Sequence, residues 1–356
     1  MKSCCFCVVL IFFLAAPVRA DKLVLIAGGG TDENNVPATK AKLIGPFGID
    51  FDKAGNSFIV EMPGQRVLKV DPKGLLTILA GTGKKGDDGD GGSAQKATFN
   101  GMHALAVSPD GTVYLADTWN NRVRKIDPAS GKISNVAGTG KKAYSGDGGP
   151  ALSAEFSGIH CIAFDFEFRK LYLTDLDNRR IRVLDLKTGV IDLVAGNGKK
   201  GVPEDGADAK TSPLVDPRAA CVDRKGNVCI LERSGHSLRV VDAKGKIRTV
   251  AGTGKPGYSG DDGDARQATF KGPKHLCVDL DDNVIIADSG NHVIRKYTPK
   301  DGKIVRLAGT GKKGNSGDGG DALKVPLDEP HGVYVHPSGT LYIVDSTNNR
   351  VFRLEK

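Results

Sequence analysis

The residues best suited to chemistry recur at one position of a repeated apolar segment. Six such segments run along the chain, and they end at Phe51, Val107, Phe164, Val222, Val278 and Val335. Four residues before each of these ends stand, in chain order, Phe47, His103, His160, Arg218, Lys274 and His331. Imidazole nitrogens bind metals and transfer protons, whereas guanidinium and ammonium groups bind anions. If the fold brings the six positions together, they form a ring of chemically competent side chains.

Three interpretations of this ring stay open. In the first, His103, His160 and His331 bind zinc and leave one coordination position free, although Arg218 and Lys274 would repel a cation. In the second, Arg218 and Lys274 bind a carboxylate, sulfate, phosphate or acidic sugar, and the histidines add a pH-dependent contribution. In the third, these residues only pack against one another.

Glycine- and aspartate-rich loops also return in most repeats, as at 87–92, 145–150, 259–264 and 316–321. Calcium loops use converging carboxylates, but they close with a bidentate glutamate that these loops lack. Glycine favours positive-φ turns and aspartate accepts hydrogen bonds from its own backbone, so the pattern favours a structural role. The candidate metals are zinc, at the ring histidines, and calcium, at these loops. The sequence requires neither of them.

Nucleophilic and base catalysis have little support. No Gly-x-Ser-x-Gly elbow for a nucleophilic serine is present. Tyr144 and Tyr258 occupy matching loops, where they are either bases or contact residues. A phenol titrates near pH 10, which argues against a base. Whether the chain is an enzyme stays open.

A phrase of alanine and glycine sets the period of the chain. It starts at residues 27, 80, 137, 195, 251 and 308, at intervals of 53, 57, 58, 56 and 57 residues. A fixed period of this length is typical of a propeller or a solenoid. The phrase therefore divides the chain into six equivalent units.

Each unit reads as four short strands. In the second unit these are 103–107, 112–116, 122–126 and 132–136, separated by turns rich in Pro, Asp, Asn and Gly. The last unit stops after its third strand, and residues 22–26 supply one strand before the first phrase. We therefore predict an all-β fold over residues 21–356. It is a six-bladed β-propeller of four-stranded antiparallel blades, with a ring closed by the N-terminal strand.

The run from Tyr114 to Asp117, followed by Asn121 to Lys125, resembles the NHL repeat, as do the runs that start at Tyr172 and Tyr342. The resemblance covers residues 22–356 and implies a propeller. The family includes binding modules, ubiquitin-ligase and receptor propellers, and a secreted metal-dependent lyase that releases amidated peptides. A related family of lactone hydrolases holds a metal with Glu, Asn and Asp, a triplet that does not map onto this sequence. The resemblance therefore implies the fold more strongly than the function.

An acid ends the second strand of every unit, and it has a structural explanation. These residues are Glu61, Asp117, Asp175, Glu232, Asp288 and Asp345. Arginine follows five residues later in four units, at positions 66, 122, 180 and 350. We expect an acid–turn or acid–arginine bond that fixes each hairpin.

The N-terminal residues indicate export. Lys2 precedes an apolar run from Cys4 to Ala16, and small residues flank Arg19 before an expected cleavage after Ala20. The run is shorter than the roughly 20 residues that span a membrane. We therefore expect a signal peptide at 1–20 and a secreted protein, either extracellular or periplasmic.

The net charge bears on the class of binding partner, and the cysteines bear on whether disulfides form. The net charge of +8 falls to +6 without Lys2 and Arg19, which does not indicate nucleic acid. Four cysteines remain after residue 20, and we interpret them as small core residues, although Cys221 and Cys229 flank a turn and suit a disulfide. The sequence indicates a monomer without a transmembrane segment.

Strand alternation gives each blade two ends. The interblade loops, of about 20 residues, and the hairpins between second and third strands share one face, which we call the top. The lead prediction is a binding propeller that holds a protein, peptide or acidic glycan there. An anion site at the channel mouth would use His103, His160, Arg218, Lys274 and His331. The alternative is a metal-dependent lyase or hydrolase at the same mouth.

Overall fold

The computed structural model describes residues 21–356, so the expected signal peptide lies outside the described residues. The described chain forms six small antiparallel sheets in succession, each wound from the innermost strand outward. This confirms the six-bladed β-propeller. Among these residues the helices are single 3-10 turns, and none has the length or apolar character needed to cross a membrane.

Each blade has four main strands, which run in order from the channel outward. Blade 1 consists of Pro46–Phe51, Ser57–Glu61, Arg66–Val70 and Leu75–Ala80. Blade 2 consists of Ala104–Val107, Val113–Asp117, Arg122–Ile126 and Ile133–Ala137. Blade 3 consists of Ile159–Phe164, Lys170–Asp175, Arg180–Asp185 and Val190–Ala195.

The other three blades follow the same plan. Blade 4 consists of Pro217–Val222, Val228–Glu232, Ser237–Val241 and Lys246–Ala251. Blade 5 consists of His275–Val278, Val284–Asp288, Val293–Thr298 and Lys303–Ala308. Blade 6 consists of Gly332–Val335, Leu341–Asp345, Arg350–Glu355 and, outermost, Lys22–Gly28.

The ring closes as predicted. Lys22–Gly28 pairs antiparallel with Arg350–Glu355, and Leu23 is fully buried in a cluster of side chains from blades 5 and 6. Five further apolar clusters fill the remaining gaps between neighbouring blades. Burial of apolar side chains between sheets is therefore what holds the six blades in one ring.

The repeated alanine–glycine phrase ends each outer strand for a steric reason. All six alanines are fully buried. The glycine that follows has a positive φ, and a Cβ added to Gly138 would lie 2.3 Å from the carbonyl oxygen of Asn121. Asn121 itself has a φ of 51°, in the left-handed region. The backbone of the outer strand thus passes too close to the top hairpin for any side chain.

Four blades carry a fifth strand that the sequence did not predict. A two-residue strand from the preceding interblade loop pairs with the outer strand of blades 1, 3, 4 and 5. These strands are Val36–Pro37, Gly149–Pro150, Ala207–Asp208 and Gly263–Asp264. An outer strand leaves N–H and C=O groups unpaired, and the added strand satisfies some of them. The long loops are therefore partly fixed to the blade edges.

The 3-10 turns lie in the loops of the top face. Four sit in interblade loops, at Ala38–Lys40, Ala94–Lys96, Ala151–Ser153 and Ala265–Gln267. Two sit in the top hairpins of blades 2 and 5, at Thr118–Asn120 and Ser289–Asn291.

The acid at the end of each second strand is buried and bonded, as the structural explanation requires. The arginine partner differs from the expected one in blades 2 and 3, and blades 4 and 5, for which no arginine was expected, have one as well. Asp117 contacts Arg124 at 3.4 Å, seven residues later, whereas Arg122 pairs with Asp87. Blades 3, 4 and 5 use the same later position, with Arg182, Arg239 and Arg295. The predicted spacing of five residues holds only for Arg66 and Arg350, where the later position is apolar.

The same arginines explain the Asp-Gly loops. Arg124, Arg182 and Arg295 have no exposed surface. Each donates its Nε to a loop aspartate, which is Asp90, Asp147 or Asp261. A buried guanidinium needs paired carboxylates and carbonyl acceptors, and the loops supply both. These aspartates thus bind arginine rather than a metal ion.

The four cysteines after residue 20 are free. Cys221 and Cys229 are directly opposite each other on neighbouring strands of blade 4, which is the juxtaposition that would suit a disulfide. Cys161, Cys221 and Cys229 are buried, as core residues would be, and Cys277 is partly exposed to the channel.

Candidate functional site

The fold brings the six ring residues together around the top end of the channel, because each stands at the start of an innermost strand. The ring of Phe47 stacks on His331 with centroids 4.0 Å apart and meets His103 edge-on at 5.2 Å. His103 lies 4.5 Å from His160 by the same measure. Arg218 donates from Nη1 to the His160 carbonyl oxygen at 3.2 Å. These contacts link blades 6, 1, 2, 3 and 4 in order.

The loop before each innermost strand orients the histidine. Nδ1 of His103 lies 2.7 Å from the carbonyl oxygen of Gly101, and Nδ1 of His160 lies 2.9 Å from that of Gly158. His331 makes the equivalent contact with the carbonyl of Glu329 at 2.9 Å. A carbonyl accepts but does not donate, so Nδ1 carries the proton and Nε2 is left as an acceptor.

The histidines are neutral at physiological pH. Burial, reinforced by the charge of Arg218, lowers the pKa of His103 to about 2 and that of His160 to about 3. Burial and the neighbouring Lys274 lower the pKa of His331 to about 2. The histidines therefore do not supply the pH-dependent positive charge that the anion interpretation gave them.

Within residues 21–356, no carboxylate forms an ion pair with Arg218, because the neighbouring Asp216, whose charge raises the pKa of Arg218, pairs with Arg233 instead. The exposed fraction of Arg218 is 5%, and burial lowers its pKa to about 10. Its charge also lowers the pKa of His103, His160 and His331, which belong to three other blades. The guanidinium charge therefore acts on the imidazoles of three other blades.

Lys274 differs, because an acid joins the ring beside it. Its Nζ lies 3.0 Å from a carboxylate oxygen of Glu329 and 2.9 Å from Nε2 of His331. Glu329 occupies the position held by Gly101 and Gly158 in blades 2 and 3, two residues before the ring residue. The ring positions alone gave no sign of this acid, and the exchange of glycine for glutamate was the signal that could have revealed it.

The described residues do not fit a metal centre. Phe47 separates His331 from His103, so the three histidines do not converge on one point. Within residues 21–356, no group of three or more His, Cys, Asp or Glu side chains is placed to hold a metal ion. The described residues therefore do not support metal chemistry at the channel mouth.

An exposed tryptophan stands above the ring. Trp119, in the top hairpin of blade 2, is 47% exposed. Its ring meets His103 and His160 edge-on, at 5.4 Å and 5.1 Å between centroids. Aromatic side chains held in this way offer a flat apolar contact surface to a ligand.

The two loop tyrosines have other partners. The hydroxyl of Tyr144 donates to Asp147, and its ring lies under the guanidinium of Arg180. The hydroxyl of Tyr258 donates to Asp261 at 3.0 Å. Both carboxylates also bind the buried arginines of their blades, so the tyrosines belong to the blade framework.

A family model and several curated proteins match parts of this chain. The NHL repeat model matches residues 99–126 and 327–354. The chain is 28% identical over 284 residues to Protein SUPPRESSOR OF QUENCHING 1, chloroplastic, of Arabidopsis thaliana, covering 76% of this chain and 26% of that protein. It is 24% identical over 344 residues to NHL repeat-containing protein 2 of Gallus gallus, covering 88% of this chain and 46% of that protein. The chain thus spans less than half the length of these curated relatives.

Solved structures show the same architecture. An auxiliary nutrient binding protein from Bacteroides thetaiotaomicron superimposes with a TM-score of 0.65 at 14% identity, over 94% of this chain and 76% of that chain. Identity this low supports the fold alone. The repeat matches and the closed ring of blades agree: the protein is a six-bladed β-propeller that contains NHL repeats.

Proposed function

We propose that the protein is a binding propeller that holds a carboxylate-bearing peptide, protein or acidic glycan at the channel mouth of its top face. The observation that carries the proposal is Arg218. Its exposed fraction is only 5%, the one hydrogen bond of its guanidinium goes to the carbonyl oxygen of His160, and no ion pair involves it within residues 21–356.

A buried cation without a counter-ion is unfavourable, and an incoming anion relieves that cost. A guanidinium also presents a planar set of donors that matches a carboxylate. Lys274 does not add a second free cation, because Glu329 already neutralises it. The site therefore suits a single negative charge rather than a polyanion.

The neutral histidines determine which ligand group can bind next to the carboxylate. The Nε2 atoms of His103 and His160 are acceptors, since both Nδ1 atoms donate to backbone carbonyls. They favour a ligand with an N–H or O–H donor next to its carboxylate, as in a peptide end or a uronic acid. Trp119 adds an aromatic surface for an apolar side chain or a sugar ring.

A binding role agrees with the architecture, which is also that of the auxiliary nutrient binding protein from Bacteroides thetaiotaomicron. The N-terminal pattern supports a ligand encountered outside the cytoplasm, and we include secretion in the proposal.

The test combines a screen with one pair of variants. Arrays of acidic glycans and of peptides with free carboxyl ends identify a ligand, and calorimetry then measures its affinity. Arg218→Met removes the charge, and Arg266→Met makes the same change at an exposed arginine of an outer loop. We expect a loss of at least about tenfold for Arg218→Met, in line with charged hydrogen bonds, and none for Arg266→Met. Full affinity in Arg218→Met would overturn the proposal.

A further inference from the structure

A cavity of about 180 Å³ lies in the channel, and all six innermost strands contribute to its wall. The six ring residues lie outside this lining. The wall instead extends to the bottom turn of blade 3, where Phe166 and Phe168 are 43% and 42% exposed. The cavity is therefore approached from the bottom face, opposite the ring.

Small residues make this space. Gly48, Ala106, Ala163 and Gly332 come from four different blades and line the cavity. A larger side chain at such a position would project into the channel or against a neighbouring strand. The cavity wall is otherwise mostly aliphatic and aromatic, as in sites that bind small molecules.

The polar groups of the wall are already bonded. Asp50 accepts the N–H of Val107 and that of Phe51, each at 2.7 Å, and the Tyr334 hydroxyl also interacts with it. His275 accepts the N–H of Val333 at 3.4 Å. A buried water needs two to four polar partners, and this wall has few to spare.

Among the described residues, the lining contains no lysine or arginine, and its two carboxyl groups are Asp50, inside the channel, and Asp165, in the bottom turn of blade 3. Burial raises the pKa of Asp50 to about 7, so this carboxyl is about half ionised at neutral pH, and burial lowers the pKa of His275 to about 4, which leaves the imidazole neutral. Burial raises the pKa of the thiols of Cys161 and Cys277 as well. An anionic ligand would lose its hydration here without gaining a counter-ion.

We propose that this cavity is a second ligand site, separate from the ring, which takes a small neutral apolar molecule about the size of one or two fused aromatic rings. Volume sets the size, because an apolar cavity of roughly 150 Å³ accommodates benzene. Phe166 and Phe168 place two partly exposed aromatic rings at the entrance. The site holds such a molecule by contact and exclusion of water rather than by hydrogen bonds.

Indole and benzene are the probes, measured by ligand-observed NMR and calorimetry on the protein from residue 21 onward. We expect both to bind in the millimolar range or tighter. Ala163→Leu fills the cavity and should weaken indole binding at least about tenfold. Ala207→Leu adds the same bulk in an edge strand of blade 4, outside the cavity, and should leave the affinity unchanged.

Val335→Phe fills the same space from blade 6 and guards against misfolding of Ala163→Leu, with circular dichroism as the check on both. Loss of indole binding in the folded filling variants supports the site. Two results would overturn it: wild-type protein that binds neither probe up to its solubility limit, or folded Ala163→Leu and Val335→Phe that bind indole as wild type does.

Discussion

Replacing Arg218 by methionine is expected to stabilise the protein while it removes the proposed binding charge. Burial lowers the pKa of Arg218 from 12.5 to about 10, which corresponds to roughly 3 kcal/mol of cost for the charged form in the fold. The side chain regains only one hydrogen bond, to His160 at 3.2 Å, worth about 1 kcal/mol. Arg218→Met should therefore raise the free energy of unfolding by about 1–2 kcal/mol.

The sign of the pH dependence follows from the same shift. The folded-state pKa lies below the unfolded one, so folding disfavours the charged form at every pH below about 10. The cost is fully present at neutral pH and through the mildly acidic range. The stability difference between Arg218→Met and wild type should be constant between about pH 6 and pH 8.

Urea unfolding followed by circular dichroism measures both quantities. Arg124→Met is the matched control, because Arg124 is equally buried but contacts Asp90 at 3.0 Å and Asp117 at 3.4 Å. Its loss strands the fully buried Asp117 and should cost about 3–5 kcal/mol. If Arg218→Met also destabilised the protein by more than about 1 kcal/mol, Arg218 would be a structural residue and the reasoning would be refuted.

Three further predictions test the framework. Burial lowers the pKa of His160 to about 3, so only the unfolded state binds this proton as the pH falls below about 6.5. In urea titrations, His160→Phe should therefore flatten the loss of stability between about pH 6 and pH 4 by up to about 1.4 kcal/mol per pH unit. An unchanged slope would contradict this. Leu23 lies in the strand that closes the ring, and Leu23→Ala should lower the free energy of unfolding by about 2–5 kcal/mol in the same assay. Leu323 is 43% exposed, and Leu323→Ala should change it by less than about 0.5 kcal/mol. Equal effects of the two variants would count against closure by that strand. Gly138→Ala forces a Cβ to 2.3 Å from a carbonyl oxygen and should lower the free energy of unfolding by at least about 2 kcal/mol. Gly131→Ala places its Cβ in open space and should lower it by about 1 kcal/mol. Similar melting temperatures for the two variants would contradict the steric explanation.

The architecture was predictable because the same pattern recurs in every blade. The alanine–glycine phrase marks the end of each outer strand, where no side chain fits beside the top hairpin. The turns between alternating strands repeat with it, and six copies remove the ambiguity of any single one. The N-terminal strand supplied the fourth strand that blade 6 lacks, so its pairing with Arg350–Glu355 could be predicted.

Positions within the site were predictable only as far as the repeat places them. Register alone put His103, His160, Arg218 and their equivalents at the channel mouth. Whether they bind anything stays a prediction. The acid at Glu329 departs from the glycine of blades 2 and 3, and its pairing with Lys274 depends on how two blades meet.

The sequence by itself determined the number of blades, the strand order and the residues that face the channel, because local strand and turn preferences repeat with a fixed period. Tertiary structure alone decided three things. Burial made the histidines neutral, the contact between blades left Arg218 unpaired within residues 21–356 while Lys274 gained Glu329, and small residues from separate blades enclosed the apolar cavity. Each depends on desolvation and on distances between residues far apart in the chain, which no local pattern encodes.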